Sequence, residues 1–206
     1  LVSGTKHTAR FVCTTDTEQC QIASFYPGAM SEARNIELRP VVDRVGSADV
    51  VLIGANDPEA MLRHTQECLF REYPFAADPS QQLARMDGEE IRPLIEGAAY
   101  LFANEYESAL IEQKTGWSAA DIAGVVETRV TTLGPMGARI ERRGEPPVTV
   151  CVAEEDRKAD PTGVGDAFRA GFLAGQEWGV GDERSAQVGA LLATYVIEAG
   201  LQGLQA

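Results

Sequence analysis

The spacing of apolar positions predicts strands and helices that follow one another along most of the chain. Four short apolar runs are typical of strands that are buried on both faces. They are DVVLIG (49–54), PFAAD (74–78), AAYLFAN (98–104) and RVTTLG (129–134). Segments with helical spacing lie between and after them, namely EAMLRHTQECLFREY, GEEIRPLIEG, EYESALIEQKTG and SAADIAGVVE. This alternation predicts an α/β fold with a mostly parallel sheet flanked by helices.

Both ends of the chain depart from this alternation. The β-prone runs 8–14 and 19–25 are separated by the polar turn 15–18, which predicts a hairpin. Towards the other end, ARIERRG and PPVTVCVAE predict antiparallel strands around a turn at Gly144. Two helices are predicted to follow, over 165–176 and 183–199.

Composition narrows the classes of partner. The 206 residues include 44% apolar side chains, enough for a packed core, and carry a net charge of −13. An acidic chain without clustered Lys and Arg is not expected to bind nucleic acid, although a local pocket can still hold a small phosphorylated ligand. No apolar run approaches the ~20 residues of a membrane span, so we expect no membrane partner.

The cysteines do not indicate a metal centre. Cys13, Cys20, Cys68 and Cys151 are widely spaced, and only two histidines could join them as ligands. We interpret them as reduced thiols of a cytoplasmic protein.

The segment DPTGVGDAF (160–168) carries the most specific chemistry. It lacks the lysine of a Walker loop, and Phe168 stands where the dinucleotide fingerprint needs glycine. It is predicted to open a helix, whose first N–H groups suit an anion. Asp166 then has two interpretations: a carboxylate that complements the helix dipole, or a general base directed at a hydroxyl.

Two weaker motifs follow other predicted strands. Asn104 and Glu107 form N-x-x-E, which is either a helix cap with a solvated glutamate or part of a ligand site. TLGPMG (132–137) is either a hairpin turn or a wall of a ligand site. Ligands bind outside the carboxyl ends of parallel strands, so the occurrence of all three motifs at such ends favours one common site.

These motifs, in this order, resemble those of the ribokinase-like (phosphofructokinase B) family of carbohydrate and nucleoside kinases. QIASFYPGAMSEARNI, IGANDPEAM, FAADPSQQLARM, RVTTLGP and DPTGVGDAFRAGF are most similar to the bacterial adenosine kinases of actinobacterial type. The resemblance implies a catalytic base at Asp166 and an anion hole formed by the backbone of Gly163, Val164 and Gly165. It also implies the following roles: Mg²⁺ organised by Asn104 and Glu107, and a nucleotide site lined by Thr132, Gly134 and Gly137.

The family resemblance also extends to the first hairpin, which is similar to the family's β lid. It implies a lid over residues 1–26 and an α/β core domain over 27–206. Phe11 would then stack on the acceptor's base, although an aromatic residue on a strand can equally belong to a core. A homodimer formed through the lid is a further expectation.

The activity implied by the resemblance is transfer of the γ-phosphoryl group of ATP to the 5′-hydroxyl of adenosine, which gives AMP in purine salvage. Mg²⁺ is the expected cofactor, and a monovalent cation such as K⁺ is left open. The alternatives are a sugar kinase of the same family, a non-catalytic nucleoside-binding protein and an inert fragment. The family's usual segments before the lid and after Gly200 are not in this sequence, so we expect a fragment.

Overall fold

A computed structural model describes residues 4–16, 21–155 and 161–203. The strands are β1 (Arg10–Thr15), β2 (Gln21–Tyr26), β3 (Val51–Ile53), β4 (Phe75–Ala77), β5 (Tyr100–Asn104), β6 (Thr128–Thr132), β7 (Ala138–Arg142) and β8 (Val148–Val150). The α-helices are α1 (Arg39–Val45), α2 (Pro58–Arg71), α3 (Gly88–Ile95), α4 (Glu105–Thr115), α5 (Ala119–Val125), α6 (Val164–Glu177) and α7 (Asp182–Gly203). Three 3-10 turns cover Gly28–Asn35, Ser80–Ala84 and Gly134–Met136. Each strand and helix that the sequence predicts is therefore present.

Six of the strands form one sheet in the order β3-β4-β5-β6-β7-β8. β3, β4 and β5 are parallel, with Ile53 opposite Ala77 and Ala77 opposite Leu101. β6, β7 and β8 are antiparallel neighbours, and the pairing of β7 with β8 confirms the turn predicted at Gly144. The α/β class with a mostly parallel sheet flanked by helices is confirmed.

α1 and the 3-10 turn Gly28–Asn35 are elements that the sequence analysis did not predict. α1 has seven residues and buries none of them, so no apolar stripe marks it. The amides at its start bind a side chain that is distant in sequence. Leu38 N and Arg39 N donate to the Glu67 carboxylate of α2 at 2.9 and 3.0 Å. A carboxylate from another helix thus caps α1, and no local sequence signal reveals such a cap.

The chain forms two compact units, one of residues up to 101 together with 109–127, and one of 102–108 together with residues from 128 onward. The core of the first unit is built from apolar side chains of the helices, of β4 and the turn after it, and of the first part of β5. Its largest members are Met61, Phe75, Leu83, Met86, Ile91, Leu94, Ile95, Leu101, Ile111 and Ile122.

The second unit depends on close packing between α6 and α7. A Cβ atom on Gly171 would lie 2.7 Å from Gly189 Cα, and one on Gly175 would lie 2.6 Å from Ser185 Cα. The glycines of AGFLAG therefore let the two backbones approach. Next to this contact, the rings of Phe102 and Phe172 meet edge to face with centroids 5.7 Å apart. This packing fixes the start of α6, where the G-x-G-D segment lies.

The hairpin β1–β2 forms a separate two-stranded sheet with Phe11 opposite Phe25. The hairpin prediction is confirmed, while residues 17–20 of its turn, including Cys20, lie outside the described residues. Its assignment as a lid domain over 1–26, apart from a core domain over 27–206, stays a prediction. Cys13, Cys68 and Cys151 are free thiols. In the part of the chain that the structure describes, no helix is both long and apolar enough to span a membrane.

Candidate active site

The G-x-G-D segment opens α6, as the sequence predicts. Gly163 is the N-cap with a φ of 84°, a left-handed conformation that favours glycine, and it has no side chain with which to cap the helix. Val164 N makes a long bond of 3.3 Å to Pro161 O. The amides of Gly165 and Asp166 belong to the first helical turn, where N–H groups have no partner within the helix. The helix start can therefore accept an anion.

Asp166 lies in the first turn of α6, and its side chain is 85% exposed. A carboxylate so exposed is accessible to an incoming hydroxyl group. The same position complements the helix dipole, so both interpretations of Asp166 are compatible with its location.

The N-x-x-E motif forms a reciprocal cap at the start of α4. Glu107 N donates to Asn104 Oδ1 at 2.8 Å, and Asn104 N donates to Glu107 Oε2 at 2.8 Å. Asn104 thus caps the helix as predicted, but Glu107 is half-buried and bonded rather than simply solvated. Asn104 Nδ2 and Glu107 Oε1 take no part in this pair of bonds.

The TLGPMG turn joins the antiparallel strands β6 and β7 through the 3-10 turn Gly134–Met136. Gly137 has a φ of 96°, and a Cβ atom there would lie 1.9 Å from Val150 O of β8. Gly134 has a φ of 56° but open space around it. The TLGPMG segment is therefore a hairpin turn. Gly137 serves the packing of the turn, while Gly134 is exposed and accessible.

A small polar cavity brings residues of all three motifs together. It has a volume of about 80 Å³, which is enough for several water molecules. Its lining consists of Phe102, Ala103, Asn104, Glu107, Thr132, Gly165 and Arg169. The sequence prediction that the three motifs share a site is consistent with this lining, whereas the individual roles of these residues stay predictions.

A second cavity lies beside the TLGPMG turn and is mostly apolar. It has a volume of about 170 Å³. Its lining consists of Gly134, Pro135, Val152, Glu155, Val164, Ala190, Ala193, Thr194 and Ile197. Val164 borders this apolar cavity and the next residue, Gly165, borders the polar one. The start of α6 therefore borders both the apolar cavity and the polar cavity.

The residues of the polar cavity are a suitable set for Mg²⁺. Among the described residues, no group of three or more His, Cys, Asp or Glu side chains could hold a metal ion by itself. Asn104 and Glu107 offer one amide oxygen and one carboxylate. Mg²⁺ keeps several waters and is usually bound by one or two carboxylates together with substrate phosphates. A metal at Asn104 and Glu107 would therefore need the oxygens of a phosphate-bearing ligand and water.

Arg169 is a member of the polar cavity that the sequence analysis missed. Its Nη1 donates to Asp166 Oδ1 at 3.3 Å. The available signal was the spacing, because residues three apart on a helix are neighbours on its surface. By sequence alone, however, Asp166 and Arg169 are equally typical of an exposed ion pair on a helix surface.

Two other candidates belong to the first unit. Phe11 is 53% exposed, so it does not belong to a core, and its ring is available for contact with a ligand. Asp78, the other candidate because it directly follows β4, is buried and accepts a hydrogen bond from Ser80 Oγ at 2.7 Å.

Comparison with known proteins identifies the family. The family described as pfkB family carbohydrate kinase matches residues 1–203. The chain belongs to this family. A nucleoside kinase of Methanocaldococcus jannaschii is 29% identical over 185 residues, which are 90% of this chain and 59% of that protein. The chain therefore spans somewhat more than half the length of this relative.

Solved structures agree with this family assignment. The nucleoside kinase of Burkholderia thailandensis in complex with inosine superposes with a TM-score of 0.85 at 33% identity, over 97% of this chain and 65% of that one. The adenosine kinase of Sinorhizobium meliloti has a TM-score of 0.75 at 22% identity, over 92% and 61% of the two chains, and shows the shared fold alone. The predicted ribokinase-like fold is thus confirmed.

Proposed function

We propose that this chain carries the phosphoryl-transfer site of an ATP-dependent nucleoside kinase, with adenosine as the acceptor and AMP as the product, as in purine salvage. One observation supports this proposal most strongly. At the start of α6, Val164 borders the apolar cavity and the next residue, Gly165, borders the polar cavity. ATP has matching chemistry, because its flat base can pack against an apolar lining and its phosphates suit a helix N-terminus.

In this proposal the residues at the polar cavity and at the start of α6 have separate roles in phosphoryl transfer. Asn104 and Glu107 would hold Mg²⁺, which would neutralise charge on the phosphates. The Gly163–Gly165 backbone stabilises the transferred group, and Thr132, Gly134 and Gly137 line the donor site. Asp166 takes the proton of the acceptor's 5′-hydroxyl as the new O–P bond forms and the bond from the γ-phosphorus to the bridging oxygen of ADP breaks.

The choice of a nucleoside over a bare sugar rests on Phe11 and on the relatives. An exposed aromatic ring can stack on a base, which ribose lacks. The M. jannaschii relative is named a nucleoside kinase, and the Burkholderia protein binds inosine and has also been solved with ADP-inosine. We propose adenosine among the nucleosides on the overall similarity of the motifs to adenosine kinases.

Substitution of the proposed base tests the chemistry. Asp166→Asn keeps the size of the side chain and the exposed position, but it removes the proton acceptor. We expect turnover to fall by about 10²–10⁴-fold while ATP binding, measured by calorimetry, stays within about threefold. The protein should be assayed at its natural length. Turnover near that of the wild type would contradict the assignment of Asp166 and the proposed mechanism.

A comparison of acceptors tests the substrate. A coupled assay at fixed Mg-ATP, with adenosine, inosine, guanosine and ribose, should give the highest kcat/KM with adenosine. Equal rates on ribose and adenosine would favour the sugar-kinase alternative. Repeating the adenosine assay in K⁺ and in Na⁺ decides whether a monovalent cation is needed.

The partner and the compartment complete the proposal. The β1–β2 hairpin exposes apolar side chains on both faces, with Phe11 and Phe25 on one and Val12 and Ile22 on the other. One face can contact the acceptor, and we propose that the other contacts a second copy of the chain.

The need for ATP and the free thiols support action in the cytoplasm.

A further inference from the structure

Arg169, in the second turn of α6, has an environment that is unusual for an arginine. Its side chain is only 14% exposed, whereas that of Asp166, three residues earlier, is 85% exposed. Long charged side chains are rarely buried to this extent without a partner or a function. The guanidinium lies at the edge of the polar cavity and donates to Asp166 Oδ1 at 3.3 Å.

The position of the guanidinium depends on Gly165. A Cβ atom on Gly165 would lie 2.8 Å from Arg169 Nη1 and 3.6 Å from Cζ. Gly165 lies inside α6 and does not have a positive φ, so the helix itself does not require glycine there. The missing side chain at position 165 instead makes room for the Arg169 guanidinium, which folds back along the helix towards its N-terminus.

This arrangement has an electrostatic cost that Asp166 offsets. A cation near a helix N-terminus is disfavoured by the helix dipole, and the same end favours an anion. The Asp166 carboxylate, in the first turn of α6, is the anion that accepts the hydrogen bond of this cation. A short, exposed carboxylate would otherwise sample several rotamers, whereas the half-buried Arg169 guanidinium is a less mobile partner for it.

We propose that Arg169 is a positioning residue that acts through Asp166: laid across Gly165, its guanidinium holds the carboxylate in the orientation that receives the acceptor's proton. This inference rests on the proposed function, because it assumes that Asp166 is the base. Its physical reason is that a base must be held within hydrogen-bond reach of its proton, and small displacements of reacting groups cost rate. The guanidinium makes no required contact with the donor's phosphates in this proposal.

A double-mutant cycle tests whether Arg169 acts through Asp166. The variants are Arg169→Gln, Asp166→Asn and the double variant, assayed at natural length with adenosine and radiolabelled ATP so that low rates are measurable. We expect Arg169→Gln to lower kcat by about 10–100-fold with the KM for ATP changed by less than about threefold. In the Asp166→Asn background the same substitution should change kcat by less than about twofold.

Two controls separate positioning from folding. Arg139→Gln removes another arginine, which pairs with Glu141 at 3.0 Å on β7, and it should leave kcat unchanged. Arg169→Lys keeps the positive charge and should recover part of the activity that Arg169→Gln loses. If Arg169→Gln does not fold, as judged by its thermal unfolding, the cycle is carried out with Arg169→Lys.

The possible outcomes distinguish this inference from the proposed function. Near-normal turnover of Asp166→Asn would overturn the proposed function and the inference with it. If Asp166→Asn is inactive but Arg169→Gln reduces kcat equally in both backgrounds, only the inference fails. A rise in the KM for ATP that persists in the double variant would show that the guanidinium binds phosphate instead. Wild-type kcat in Arg169→Gln would also overturn the inference.

Discussion

At the scale of single residues, Glu107 takes part in both the fold and the proposed site. Its Oε2 accepts the Asn104 amide and so holds the start of α4. A glutamine at this position can accept the same hydrogen bond through its carbonyl oxygen, because the reciprocal cap functions with Glu or Gln. The carboxylate charge, in contrast, is needed only by a bound cation. The two tasks can therefore be separated by substitution.

Glu107→Gln is expected to raise the Mg²⁺ concentration for half-maximal activity by about tenfold or more, because a neutral amide is a weaker ligand for Mg²⁺. Its free energy of unfolding should change by less than about 0.5 kcal/mol, since the cap is kept. Mg²⁺ titration of activity and urea unfolding measure the two effects.

The matched control is Ser118→Ala, which removes a reciprocal cap at the start of α5, outside the proposed metal site, and should cost about 0.5–2 kcal/mol of stability. An unchanged Mg²⁺ titration in Glu107→Gln would contradict the metal role.

The sequence predicted individual residues best where a motif of specific spacing marked them. The G-x-G-D segment predicted the start of α6, which the structure confirms. Arg169 was missed because its burial depends on the empty space at Gly165, and that space exists only once the helix has formed. The contact of Gly137 with Val150 O was also hidden, since it depends on the pairing of β7 with β8.

At the scale of elements, Asp182 joins three parts of the second unit at the start of α7. Arg142 of β7 donates to its two oxygens at 2.9 and 2.7 Å, and Gln176 of α6 donates to Oδ1 at 2.9 Å. The bonds from Arg142, against the opposing effect of burial, hold the pKa of Asp182 below its ordinary value of 3.8. The charged form is thus favoured in the folded state.

Asp182→Asn is expected to lower the free energy of unfolding by about 1.5–3 kcal/mol at neutral pH, because it weakens hydrogen bonds to a charged group. A carboxylate with a lowered pKa stabilises the fold above its unfolded pKa, and this stabilisation is lost as pH falls through the folded pKa. The difference between wild type and variant should therefore be constant at neutral pH and shrink as pH falls below 3.8. Urea unfolding as a function of pH measures it.

Asp43→Asn is the matched control for that experiment. Asp43 pairs with Arg39 on the surface of α1 at 3.3 Å, and both side chains are largely exposed. Exposed pairs contribute little, so we expect a change below about 1 kcal/mol at every pH. A pH-independent difference for Asp182→Asn would contradict the shift of its pKa.

Elements were predictable where their apolar periodicity was strong. α2 and α6 both have a buried face, and α2 also has a cap at Asp57; both helices were predicted within a few residues of their ends. α1 was not predicted, because it buries none of its seven residues and depends on a cap from Glu67 of α2. When a helix is capped by a side chain far away in sequence, its own residues carry no cap signal from which it could be predicted.

At the scale of the whole molecule, the sequence predicted the α/β class because strands and helices alternate along it. The order of the strands in the sheet was not predictable, since strand order depends on long-range pairing rather than on local pattern. The site could be predicted as a set of motifs at strand ends, but the two cavities beside α6 could not. Cavities depend on how side chains from several elements pack.

The dimer that we propose would use one of the two exposed faces of the hairpin. We expect Ile22→Ser to shift the protein towards the monomer, because it removes apolar surface from the face proposed to contact a second copy. Phe70→Ser on α2 is the matched control, since Ile22 and Phe70 are each 83% exposed. Sedimentation velocity at natural length measures both variants. A wild-type monomer, or equal behaviour of the two variants, would contradict a dimer formed through the hairpin.

The reciprocal cap between Asn104 and Glu107 has a consequence for how sequences of this kind are interpreted. A descendant that lost its activity would still need Asn104 and either Glu or Gln at position 107 to begin α4, so natural selection for a stable fold alone could preserve most of the motif. Retention of N-x-x-E in a genome survey is therefore poor evidence that a protein is active. Asp166 is exposed and supports no comparable cap, so its loss or retention would separate working enzymes from inactive copies more reliably.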